Sequence, residues 1–262
     1  MFPGFFNFTD RMNFLQLCLF FIACFLIYIL LGVYSIGWVW SRESREKKND
    51  VVNGFTGVLG LIFAVLVGSV IVTAWQYQDR ADTDSSKEAD AVGDLYQMAP
   101  NLGERESIYV KSRLRDYAKN VIEVEWPLMR KTIKPTSGWS YLFEIRSTIA
   151  NYTPPSTKNS ILLNNMEKKF NELLDARRQR IQSSLYSIPF VIYILLFFVS
   201  AFIIFFNMFL GLPYWLHVMF LSCLSIPISL CIVVIIALDL PFRTQIRINP
   251  DEMQRVLKLL KD

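Results

Sequence analysis

The sequence predicts an all-α membrane protein of four transmembrane helices, with a cytoplasmic helical domain inserted between spans two and three. Three observations predict it. Charged residues make up only 19% of the 262 positions, against 53% hydrophobic, where a soluble domain carries about 25% charged residues. The missing charges are concentrated: none falls in the 30 residues between Arg11 and Arg42, the 28 between Asp50 and Asp79, or the 58 between Arg180 and Asp239. At about 20 apolar residues per crossing, these three stretches hold four helices. A soluble enzyme and a disordered chain are excluded, and the alternating ten-residue strands of an outer-membrane barrel are absent.

In chain order, a tail at residues 1–13 leads into transmembrane helices 1 and 2, which occupy residues 14–75. The first span covers 14–40; its apolar stretch is too long for a cleavable signal, and Trp38 and Trp40 close it like an anchor at the lipid–water boundary. A basic hinge at 41–50, with Arg42, Arg45, Lys47 and Lys48, precedes the second span at 51–75. The inserted domain is 76–185, helices 3 and 4 lie within 186–238, and a tail follows at 239–262. Trp75 and Trp215 also fall at span ends, as interfacial residues do.

An even number of spans puts both termini and the inserted domain on one side. That side carries more basic residues near span ends, among them Arg11, Arg80, Lys168, Lys169, Arg177, Arg178, Arg180, Arg243 and Arg247, against four in the hinge. The positive-inside rule then predicts cytoplasmic termini.

The inserted domain reads as helices. Val110, Leu114, Tyr117, Val121, Val124 and Leu128 recur at three- and four-residue spacing on one face. A second stripe, Leu162, Met166, Phe170, Leu173, Ile181 and Leu185, runs on without a breaker, predicting one helix that enters the third span. Pro127 inside the first pattern predicts a kink or break, with Trp126 as a core anchor.

No catalytic residues, metal site or cofactor motif emerge. Phosphate-binding glycine loops, a nucleophile elbow and HExxH are absent, all four cysteines lie in the apolar stretches, and His217 is the single histidine. The net charge of +4 carries no basic run of the kind that binds nucleic acid. The spans have no ionisable residue at mid-membrane, which argues against a proton- or ion-coupled pump.

The second span is the informative one. Gly57, Gly60, Ala64 and Gly68 share one helical face at spacings of three, four and four, and small residues let helix backbones approach closely in lipid. They pack either within the four-helix bundle or around the axis of an oligomer. In the second case Phe63, Leu66 and Val70, with Thr56 and Thr73 nearer the ends, face a pore whose hydrophobic constriction gates by dewetting. Charges at the membrane exits, including Asp50, Arg177, Arg180 and Asp239, read as flanking anchors and caps or as rings at a pore mouth.

Asn49-Asp50 with Gly54 and Gly60, Glu88-Ala89, Tyr117-Ala118, Glu125-Trp126-Pro127-x-Met129, Arg177-x-x-Arg180 and Asp239-x-Pro241-Phe242 together resemble the bestrophin-like family of bacterial four-span membrane proteins. The likeness covers roughly residues 47–250; Leu240 departs from it, where a basic residue is expected. It implies a homo-oligomeric ring, plausibly pentameric, in the bacterial inner membrane, with the second span lining a narrow hydrophobic neck that passes inorganic ions. The basic residues at the membrane exits favour anions. The rival reading is a non-conducting scaffold or sensor whose helical domain binds a cytoplasmic partner.

Overall fold

The computed structural model describes residues 12–260. Arg11 and most of the amino-terminal tail lie outside the described residues. Ten α-helices, one 3-10 turn and one π-helical turn make up the regular structure, with no strand among the described residues. They divide into two compact units: one formed by residues up to Trp75 together with Ser187–Asp239, the other by Gln76–Tyr186 together with the chain from Leu240 onward.

The first unit is the membrane part. It holds α1 (Phe14–Val39), the short α2 (Arg42–Glu46), the first half of α3 (Asn49–Met98), α8 (Phe190–Asn207) and α9 (Tyr214–Leu238). Four of these helices are long and apolar enough to cross a bilayer. They are buried unequally. In the most apolar window of each, 56% of α9 is enclosed by the unit but only 17% of α3. Helix α9 packs along α1 as the central support, and α3 presents most of its membrane surface outward.

The serines, the asparagine and the histidine of α8 and α9 described next find acceptors close by, as lipid requires. Ser200 Oγ donates to the Leu196 carbonyl at 2.6 Å and Ser229 Oγ to that of Ser225 at 2.8 Å. Asn207 Nδ2 donates to the Ile203 carbonyl at 2.8 Å and to Thr56 Oγ1 at 3.3 Å. His217 Nε2 lies 2.9 Å from the Asn207 carbonyl, so the lone histidine helps close the end of α8. Helix α9 runs unbroken through Pro227.

The first unit takes α3 only as far as Trp75, where the second span is expected to end, and the helix itself continues over 50 residues in all to Met98, ended by Pro100 in the 3-10 turn Ala99–Asn101. One expectation about the membrane entries is corrected. The helix expected to run into the third span instead stops: α7 (Thr157–Ser183) ends before Pro189, and α8 starts at Phe190. Proline disfavours helical backbone at the preceding residue, and the freed Ile188 N–H donates to Asp239 Oδ1 at 2.9 Å.

The second unit is a helical domain around one core. It comprises the rest of α3, α4 (Glu104–Asn120), the π turn Val121–Glu125, α5 (Trp126–Arg130), α6 (Trp139–Asn151), α7 and α10 (Asp251–Leu259). Ala89, Val92 and Leu95 of α3 meet Val110, Leu114 and Tyr117 of α4, Leu142 and Ile145 of α6, and Phe170 and Leu173 of α7. The carboxy-terminal tail is part of this core rather than a loose charged end, since Phe242, Met253 and Leu260 are buried in it. Trp126 stacks edge-on against Phe242 at 5.4 Å, and its Nε1 donates to the Ile248 carbonyl at 3.2 Å.

The π turn alters the predicted stripe. Val110, Leu114, Tyr117 and Val121 are fully buried, but Val124 is 42% exposed and Glu125 takes the inward position. A π turn inserts one extra residue before the helix repeats, which rotates the downstream residues by about 100°. Pro127 has no N–H for the carbonyl four residues back, which favours the wide turn here; the Trp126 N–H reaches the Val121 carbonyl five residues back.

Candidate pore helix and buried charge cluster

Helix α3 begins with Asn49 and Asp50, the exposed Asp50 carboxylate lying in the first turn, where the helix dipole favours an anion. Asn49 Oδ1 accepts the Gly211 N–H at 2.8 Å, tying this end to the α8–α9 turn. Gly211 is needed there, because a Cβ would strike the Glu46 backbone nitrogen.

Around the helix, three faces separate. Phe63, Val67, Val70 and Ala74, spaced four, three and four, are buried in the protomer. Gly57, Gly60, Ala64 and Gly68 lie to one side of that face, and a Cβ added at any of these three glycines meets no atom within 4 Å. Val58, Leu61, Val65 and Val72 form the third face, exposed by between 56 and 68%. The glycines thus have no neighbour within their own bundle among the described residues, and Phe63 and Val70 are buried on the face that seals α3 to the protomer. Leu66 is half-buried, Thr56 accepts the Asn207 amide, and Thr73 Oγ1 donates to the Ser69 carbonyl at 2.9 Å within its own helix.

The residues expected at a pore mouth are mostly interior. In the helical domain Glu88 of α3, Glu125 of the π turn, and Arg177 and Arg180 of α7 are all completely buried. Arg177 grips Glu125 with two parallel bonds, Nη2 to Oε1 and Nη1 to Oε2, each 2.7 Å. Arg180 Nη2 reaches Glu125 Oε2 at 2.7 Å and Glu88 Oε1 at 3.1 Å, and its Nε bonds Glu88 Oε2. The Tyr117 hydroxyl donates to Glu88 Oε1, and Arg177 Nη1 lies 3.3 Å from the Tyr117 oxygen. The Gly138 N–H completes Glu125 at 3.0 Å. Two cations meet two anions, so the cluster is neutral. Arg180 also lies over the Trp126 ring at 5.3 Å, and Arg177 over Trp139 at 5.0 Å.

Electrostatics follow the geometry. Burial pushes the Glu125 carboxyl upward, but hydrogen bonds and charge from Arg177 and Arg180 overcome it and hold the group below the usual carboxylate range. Burial and the Glu88 charge drive the Tyr117 hydroxyl well above its ordinary value. Both guanidiniums stay charged: burial opposes this, but the anionic partners outweigh it and raise them above the normal arginine range. With both carboxylate oxygens saturated, Glu125 has no lone pair directed at a substrate. The cluster joins α3, α4 and α7 through the π turn.

Sequence patterning alone puts Arg177 and Arg180 at the membrane entry and gives Glu88 no role. A signal for their true place is nonetheless present. Met166, Phe170, Leu173, Arg177 and Arg180 keep the four-three spacing of one buried face of α7, and Ala81, Ser85, Glu88, Val92 and Leu95 do the same on α3. A charge in a core register needs an opposite charge beside it.

Asp239, also fully buried, closes α9. It accepts the Ile188 N–H, the Ser187 hydroxyl at 3.1 Å and the Tyr193 hydroxyl at 3.0 Å, so it is a pin rather than a charge facing an aqueous opening. Of Asp50, Arg177, Arg180 and Asp239, only Asp50 is exposed; in the Glu125-Trp126-Pro127 element only Pro127 is. Leu240, which follows the pin, is buried and holds a left-handed backbone (φ 57°). That conformation costs a branched residue about 1–2 kcal/mol.

Comparison with known proteins agrees with this architecture. A crystal structure of a bacterial bestrophin homologue from Klebsiella pneumoniae carrying one substitution matches with a TM-score of 0.71 at 12% identity, covering 94% of this chain and 99% of that one. Another structure of a bestrophin homologue from the same organism, solved by Zn-SAD phasing, gives 0.69 at 12% identity over 92% of this chain and 96% of that one. A crystal structure described only as a membrane protein gives 0.67 at 14% identity, covering 93% and 97%. No curated protein matches by sequence. The model of the Bestrophin-like domain matches residues 23–253. Four apolar spanning helices, the all-helical fold and that match over most of the sequence make this chain a multi-pass membrane protein of the bestrophin-like family.

Proposed function

We propose that the protein is a homo-oligomeric, pentameric ion channel of the bacterial inner membrane, with both termini and the helical domain cytoplasmic. Helix α3 lines its pore. The observation that carries this reading is the open surface of α3. A helix in a lone bundle has no reason to leave a glycine face without any neighbour, whereas in a ring that face receives the adjacent subunit. The neighbouring face of Val58, Leu61, Val65 and Val72 then meets the axis, replacing Phe63 and Val70 as the constriction. Apolar rings of this kind conduct when wetted and block when dry. Asp50 at the start of α3 is the charge placed to act at one mouth.

Reconstitution in planar bilayers tests this. Purified oligomer passes current, Leu61→Ala and Val65→Ala raise single-channel conductance, and Phe63→Ala lowers stability with conductance unchanged. Absence of current under every voltage tried would sink the reading and favour a scaffold whose helical domain binds a cytoplasmic partner.

A further inference from the structure

Where the short α2 joins α1 to α3, the ends of α1 and α8 and the start of α3 enclose a cavity of about 510 Å³. Its walls are apolar and aromatic, built from Val52, Phe205 and Phe209 with Trp40, whose ring meets Phe209 edge-on at 6.0 Å. Two cations, Arg45 and Lys48, also line it.

Arg45 is the unusual group. It is only 7% exposed, and no carboxylate among the described residues pairs with it. Its Nη1 donates to the Met208 and Leu210 carbonyls at 3.4 and 3.3 Å, where α8 ends and free carbonyls carry the negative end of the helix dipole. Its Nε is buried without a hydrogen-bond partner among the described residues. A buried donor left unmade is costly, and more so on a charged group. The nearby acids are engaged elsewhere or turned away: Glu43 pairs with Lys47, and Glu46 and Asp50 are exposed. Lys48 holds its ammonium 4.4 Å above the Trp40 ring at the same opening.

We propose that this cavity binds an anionic phospholipid from the leaflet opposite the termini. The phosphate sits between Arg45 and Lys48 and takes the orphaned Arg45 Nε–H, and an acyl chain lies along Phe205 and Phe209. Charge complementarity selects the headgroup, and the apolar wall distinguishes a lipid from free phosphate. Trp40 marks the depth, since tryptophan settles where headgroups meet hydrocarbon.

Delipidated full-length protein, incubated with vesicles of phosphatidylglycerol or of phosphatidylcholine and examined by native mass spectrometry, tests the site. The expected result is phosphatidylglycerol retained about fivefold over phosphatidylcholine, the factor for one basic side chain at an anionic surface. Lys48→Gln removes most of that preference and Arg45→Gln removes it. Lys47→Gln, an equal charge change outside the cavity, leaves it intact. Arg45 also holds helix α8, so if Arg45→Gln does not fold, Lys48→Gln against Lys47→Gln decides. Equal retention of the two lipids, equal loss in both lysine variants, displacement of the lipid by inorganic phosphate alone, or an oligomer that carries no lipid would each overturn the proposal. None of these outcomes depends on whether the protein conducts.

Discussion

Arg177 and Glu125 form a two-bond ion pair, each contact 2.7 Å, with both side chains wholly removed from solvent. Such a pair roughly offsets its own desolvation when intact, but breaking it strands a charge in the interior. Glu125→Ala leaves two guanidiniums facing one carboxylate and is expected to cost about 3–5 kcal/mol. Thermal unfolding of detergent-solubilised protein, followed by tryptophan fluorescence, reads the loss directly; a variant as stable as the parent contradicts this role for the pair.

The same carboxyl predicts an acid limb. Its folded pKa lies below the unfolded value, which is about 4.3 for glutamate. Its stabilisation is therefore complete above that unfolded value and is lost as pH falls through the lower folded one. Melting temperature should hold steady from neutral pH down to about 5 and drop below about 4. Glu125→Gln, less stable at neutral pH, should show a shallower acid drop; parallel limbs in the two proteins refute the assignment.

Gly138 has ordinary helical backbone, so its glycine is required by proximity and not by conformation. A Cβ there would stand 2.6 Å from both Arg177 Nη1 and Glu125 Oε1. Gly138→Ala should destabilise by about 3 kcal/mol, the upper end for overpacking, and should lose part of its effect in a Glu125→Ala background, where one of the two clashes is gone. A double-mutant cycle measures that coupling.

On α3, Gly60→Leu adds bulk to a face that no other described part of the protomer covers. Its effect on protomer stability should stay within about 0.5 kcal/mol, as for an uncommitted surface, while the oligomer dissociates. Native mass spectrometry separates the two effects; an intact oligomer would mean that this face looks at lipid.

Removing the Asp239 pin tests the membrane unit. Asp239→Ala removes the carboxylate that accepts the Ile188 N–H and the Ser187 and Tyr193 hydroxyls. At about 1.5–3 kcal/mol for a charge-assisted bond, the variant should be markedly less stable than Tyr193→Phe, which leaves the Ile188 and Ser187 contacts of Asp239 in place. Equal melting temperatures for the two would contradict the pin.

Much of this architecture is legible in the chain. The charge-free stretches locate four spans within a few residues, because hydrocarbon tolerates so few alternatives. The stripes on α4 and α7 identify the domain core for the same reason that any amphipathic helix does. The rotation of α3 is not legible. Small residues on one face say that something approaches closely, but not whether it belongs to the same subunit, and the choice between Phe63 and Leu61 for the outward face depends on that partner. The interior charges are hidden because membrane-flanking arginines and core arginines look alike until their register is traced. Arg177 and Arg180 belong to the interior of the helical domain, while Arg80 and Arg178, beside the same span ends, stay exposed.

The π turn at Val121–Glu125 has a consequence for reading relatives of this chain. It is one surplus residue, and the identity of everything downstream in the core depends on its presence. Were the same five residues wound as regular α-helix, Val124 would swing inward and Glu125 would turn away from its two arginines. A gap of one in an alignment here is thus a change of core chemistry, although every residue that mattered is still written in the sequence.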